Sequence, residues 1–143
     1  DDIHDDLATL TGSKLMARSQ IAATTIDLNQ GVGAKDLFTG TTQDVIVEGL
    51  VIRMPNDIAA GALTSISIHT DDATPLVFIT AAEGAVANLV AEAQLSWAPA
   101  DGICLLVAGK KIQLTIGGGA EGAAYVCKVV AKYRAVVSGG YLA

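Results

Sequence analysis

The sequence predicts an all-β chain, an antiparallel β-sandwich preceded by a short N-terminal arm, and three observations predict it. Ala, Val, Ile, Leu and Thr dominate the composition, and these small and β-branched side chains suit a pleated, half-buried surface. Gly is frequent, with 15 in 143 residues, as many tight turns require. The apolar content comes in short runs separated by turn residues about every 8–12 positions, which is the spacing of a sandwich or barrel.

The strands follow in order. Residues 1–18 are acidic and then mixed. Asp5 and Asp6 ahead of Leu7 and Leu10 can cap a short helix, but Thr11-Gly12-Ser13 interrupts it, and the segment reads as an arm ordered against a neighbour. Residues 20–28 form a β-branched strand ended by Asn29 and Gly31, and residues 34–42 read as a loop carrying Leu37 and Phe38. Residues 44–54 are apolar on both faces except at Glu48 and Arg53, as in a central strand or one with a covered outer face. Residues 63–70 alternate, with Ile66 and Ile68 on one face and Ser65, Ser67 and His69 on the other.

A short strand around Leu76, Val77, Phe78 and Ile79 comes next. Residues 81–93 read either as a strand or as a helical turn or two with Val86, Leu89 and Val90 inward. Residues 95–102 lead into a strand over 103–108. Gly109-Lys110 turns it into a strand over 111–116, with Ile112, Leu114 and Ile116 inward, and the pair is predicted to be a β-hairpin. Gly117-Gly118-Gly119-Ala120-Glu121-Gly122 reads as a flexible hairpin loop. Residues 123–137 give the clearest strand: Tyr125, Cys127, Val129, Ala131, Tyr133, Ala135 and Val137 share one face, while Lys128, Lys132 and Arg134 interleave with Val126, Val130 and Val136 on the other. A strand of this length is expected to pair on both sides. Tyr141 lies in a short tail. The count is roughly seven to nine strands, with no βαβ alternation and no repeat, so residues 19–143 are expected to form one domain.

Composition also excludes function classes. No apolar run approaches the roughly 18–20 residues of a membrane-crossing helix. A net charge of −6 with nine Lys and Arg leaves little counterion release for nucleic-acid binding. Cys104 and Cys127, each inside an apolar run, read as buried free thiols, although adjacent strands would let them pair; two distant cysteines make neither a disulfide framework nor a zinc site. Free thiols imply folding in a cytoplasm. No signal-peptide pattern is visible and the chain starts at Asp1, which reads as a processed or trimmed chain.

No convergent chemistry emerges. Ser67, His69 and Asp71 have the residue types of a hydrolytic triad, but they follow one another on one strand face and point along a row. The acids sit in turns (Asp57, Asp71, Asp72, Asp101) or in the arm, where side-chain bonds to their own backbone explain them better than a two-carboxylate site. Asp71 and Asp72 with Asp101 form a weak calcium constellation without the spacing of a calcium loop. The Gly117–Gly122 run lacks the Lys-Ser/Thr and helix of a phosphate loop. Trp97 beside Pro99 can stack on a sugar, but one Trp without an aromatic platform reads as a core or interface residue. No catalytic, cofactor-binding or metal-ligating residue is therefore assigned, and the chain is not expected to be an enzyme.

The run Val45-Ile46-Val47-Glu48-Gly49-Leu50-Val51-Ile52-Arg53-Met54, followed by Ala60-Gly61-Ala62-Leu63-Thr64-Ser65-Ile66-Ser67-Ile68-His69-Thr70-Asp71-Asp72, resembles small virion proteins of tailed bacteriophages. These include capsid decoration or cement proteins and related head and tail accessory proteins. The resemblance spans residues 20–137 and lies in an Ala/Val/Thr/Gly-rich style, not in a signature motif, so it transfers no site residue. It implies a jelly-roll-like sandwich, a homo-oligomer, often a trimer, that grips capsid or other virion subunits without a cofactor, and a place in the virion after folding in the host cytoplasm. The alternative from another class is a monomeric carbohydrate- or ligand-binding sandwich using Trp97 and the Asp71-Asp72 turn.

Overall fold

The computed structural model describes residues 19–99, 104–136 and 139–143. The arm, residues 1–18, together with Asp101, Ile103 and Val137, lies outside the described residues.

Ten strands run in the order β1 (Gln20–Asp27), β2 (Gly33–Thr41), β3 (Val45–Arg53), β4 (Ser65–Thr70), β5 (Val77–Ile79), β6 (Gln94–Trp97), β7 (Cys104–Leu106), β8 (Lys111–Gly117), β9 (Val126–Ala135) and β10 (Tyr141–Leu142). One five-stranded sheet has the order β1-β9-β3, and β6 and β7 share the far side of β3. The other is ordered β10-β2-β8-β4-β5, and all pairings are antiparallel. The first three strands alternate between the sheets. β1-β9-β3-β6/β7 facing β2-β8-β4-β5 is the order of a jelly roll, with β10 added at an edge. The fold is thus an all-β, jelly-roll-like antiparallel sandwich, as the sequence predicts.

The inward faces form one buried cluster that includes Val45, Val47, Ile66, Ile68, Leu114 and Val129. β3 and β9 lie at its centre: β9 pairs with β1 on one side and β3 on the other. A bulge at Glu48 lets β3 point Val45 and Val47 inward before it and Leu50 and Ile52 inward after it, although the two pairs have opposite parity.

Four expectations need correction. Residues 34–42 are not a loop; they belong mostly to β2. A bulge between Asp36 and Phe38 buries the adjacent Leu37 and Phe38 together, which breaks the period-2 pattern a strand normally shows. Second, the strands flanking Gly109-Lys110 do not form a hairpin. Lys110 N–H does close a turn on the Val107 carbonyl (2.9 Å), but Gly40 takes up the turn's backbone groups and the chain crosses layers. β7 pairs with β3 while β8 pairs with β2 and β4.

The Gly117–Gly122 segment likewise joins strands of opposite sheets and is not a hairpin loop. It is pinned on both sides, by Ala62 N–H to the Ala120 carbonyl (3.1 Å) and Glu121 N–H to the Leu28 carbonyl (3.2 Å). Finally, residues 81–93 contain a short 3₁₀ turn, Val86–Asn88, in which Leu89 is fully buried while Val90 is exposed. Two short strands were invisible as such: β6 lies in the expected lead-in, and β10 lies in the tail, where Leu142 is buried against β2.

Candidate interaction surface

The two outer faces of the sandwich differ chemically. The β2-β8-β4 face is polar and satisfies itself. Asp36 accepts from Lys111 Nζ and from Gln113 Nε2, both at 2.8 Å, and these bonds hold its carboxyl below the ordinary range. His69 Nδ1 donates to the Thr70 carbonyl (2.8 Å), because a carbonyl only accepts, and Nε2 shares a hydrogen bond with the Thr115 hydroxyl (2.5 Å).

That arrangement decides the triad pattern. Both ring nitrogens of His69 are occupied, and Asp71 Oδ1 is taken by the backbone N–H of Lys111 at 2.7 Å. Ser67, His69 and Asp71 stay in a row and do not converge. Asp71 and Asp72 have no third ligand: among the described residues no group of three or more His, Cys, Asp or Glu side chains gathers, and Asp101 lies outside them. Trp97 and Pro99 are half-buried, and the Trp97 and Phe78 rings pack perpendicular to each other. The Trp97 side chain packs against the core, and Phe78 is its one aromatic neighbour among the described residues. Cys104 and Cys127 are both buried free thiols, with Cys127 Sγ 3.6 Å from Met54 Sδ. Burial pushes the first up to about 11 and the second up to about 12.

The β1-β9-β3 outer face is different. Antiparallel register sets Ala23 beside Val130 and Val130 beside Val51, an apolar row of small side chains. Flanking it, Ile21 lies beside Lys132, Thr25 beside Lys128, and Lys128 beside Arg53. Arg134 is next to Ile46, which is in turn next to Leu105. Ile21, Leu105 and Val126 are large apolar side chains left exposed here. A shallow depression of about 360 Å³ runs along Ala23, Thr25, Lys128 and Val130. Alternating basic and apolar rows on an otherwise acidic protein mark this as the face best suited to another surface.

Two ion pairs cross the face, Arg134–Glu48 (3.3 Å) and Arg53–Glu92 (3.5 Å). Arg134 Nε is buried and has no acceptor among the described residues. Part of this face was legible on β9, where Lys128, Lys132 and Arg134 interleave with valines. The contribution of β1 and β3 depends on register and was not.

The described residues thus form a jelly-roll-like sandwich with one outer face of alternating basic and apolar rows. No protein-family model and no curated protein sequence matches the chain. Its fold is similar to a chain in the acidic stable capsid structure of Helicobacter pylori bacteriophage KHP30. The TM-score is 0.56 at 13% identity, covering 87% of this chain and 92% of that one. It is also similar to a chain in the capsid asymmetric unit of cyanophage Pam1, with a TM-score of 0.55 at 14% identity, covering 82% and 85% respectively. Both likenesses extend over most of each chain, and at these identities they are likenesses of fold.

Proposed function

We propose that the chain is a structural virion protein of a bacteriophage, a capsid decoration, cement or accessory protein that binds and stabilises neighbouring particle subunits. The observation that carries this reading is the fold likeness, over most of each chain, to chains of two phage capsid structures. The acidic balance, pI about 4.6, favours protein neighbours over packaged nucleic acid. In this reading the chain acts as a homo-oligomer, a trimer, with residues 19–143 as its folded unit behind the arm. It has no turnover of its own, and it resides in the virion after folding in the host cytoplasm, where buried thiols stay reduced.

Light scattering on the purified chain tests the oligomer. A closed trimer whose mass is indifferent to a chelator agrees with the proposal. A monomer at every concentration removes the homo-oligomer and turns attention to a single-copy binding module.

A further inference from the structure

We propose that the β1-β9-β3 outer face is the seat of the chain's own leading segment, residues 1–18. Three observations converge on it. The first is direction: Ser19 immediately precedes β1, yet its hydroxyl donates to Glu48 Oε1 at 2.8 Å, and Glu48 belongs to β3, on the far side of β9. The chain entering β1 is therefore tied to this face and not to the open edge of the sheet.

The second is an unmet donor. Arg134, in the same row as Ser19, keeps Nε buried without an acceptor among the described residues. A buried guanidinium N–H calls for a carboxylate or carbonyl. The third is complementarity. Lys128 and Lys132 stand exposed beside the apolar row and make no ion pair among the described residues, and Ile21 is 73% exposed. The leading segment supplies the matching chemistry: Asp1, Asp2, Asp5 and Asp6 come before any Lys or Arg, and Ile3, Leu7 and Leu10 are spaced four and three apart, as one apolar stripe requires.

The reach is sufficient. The nine-residue span from residue 10 to residue 19 can extend about 30 Å, whereas the run along β1 from Ser19 to Thr25 covers about 20 Å. Apolar contact supplies the attraction and the charges set its placement, because exposed ion pairs alone contribute little.

Hydrogen exchange on the full chain, read on peptides from residues 1–18, tests the seat. The wild-type segment is expected to be protected to the same degree at low and high protein concentration. Lys128→Glu with Lys132→Glu should lower that protection severalfold, and adding Asp5→Lys with Asp6→Lys should restore it. Peptides from β3 and β9 report whether each variant is folded, and Ile21→Ser weakens the same seat without reversing charge. Exchange of the wild-type segment at the rate of an unstructured peptide would overturn the proposal, as would protection that none of these substitutions changes. Protection that rises with concentration would also overturn it, by assigning the face to a second copy.

Discussion

Trp97 and Phe78 meet edge to face, with ring centroids 4.8 Å apart and planes at 83°. Trp97 lies on β6 and Phe78 on β5, so the pair joins the edge of one sheet to the edge of the other. Edge-to-face geometry adds to the area buried by each ring. Trp97→Ala is therefore expected to cost about 2–3 kcal/mol of stability, below the range for a fully buried Trp because this ring is only partly buried. Urea unfolding followed by circular dichroism measures it. A Trp97→Ala chain as stable as wild type would show that the ring is held for a ligand and not for the core.

Tyr125 is fully buried at the entrance to β9, and its hydroxyl lies 3.0 Å from the Asp57 carbonyl and 3.1 Å from the Leu89 carbonyl. One donor thus ties two connecting segments to the sheet. Tyr125→Phe leaves those carbonyls facing an apolar ring and should cost about 1–3 kcal/mol. The same unfolding measurement checks it, with faster amide exchange near Asp57 and Leu89 as the local signature.

Among the described residues, three buried groups contribute to the pH dependence of stability on the alkaline side. Burial raises Cys104 from 9.0 to about 11, Cys127 from 9.0 to about 12 and Tyr125 from 10.0 to about 12. Each stays neutral in the folded chain after its unfolded counterpart has ionised. Their contribution is therefore complete below pH 9 and is lost progressively as pH rises from about 9 toward 12. Thermal melts should show a plateau near neutrality and a steep decline above pH 9. In Cys127→Ala the alkaline decline should be shallower, whatever that substitution costs at neutral pH.

Gly84 lies against the backbone of β4, and its carbonyl accepts from Ile66 N–H at 2.9 Å. A Cβ built there would stand 1.9 Å from the Ile66 carbonyl oxygen and 2.9 Å from its carbonyl carbon, so backbone would have to move. Gly84→Ala is expected to cost about 2–3 kcal/mol and to loosen the 81–93 connection, seen as a lower unfolding midpoint and lost protection at Ile66.

What could be read from the chain depended on strict alternation. β4, β8 and β9 alternate without a break, so the sequence separates the face of Ile66 and Ile68 and that of Cys127 and Val129 from their polar counterparts and turns Leu114 inward, and all five are buried. β2 was missed because its bulge sets Leu37 and Phe38 side by side in the core, a pattern that local periodicity assigns to a loop. The false hairpin at Gly109 has another cause. A tight turn signals a reversal of direction, but whether the next strand stays in the same sheet is decided by partners such as β3 and β2, far away in sequence. The interaction face divides in the same way. Its Lys-Val interleaving on β9 is local, while the Ser19–Glu48 and Arg134–Glu48 contacts that organise it exist only after β1, β9 and β3 are aligned.

The account stands most directly on where the protein resides. Quantitative mass spectrometry of phage particles purified from the source of the chain measures its copy number against that of the shell subunit. The account predicts a high copy number in fixed proportion to the shell, unchanged by nuclease treatment. Absence from the particles, or trace amounts that vary between preparations, would contradict a structural role in the virion.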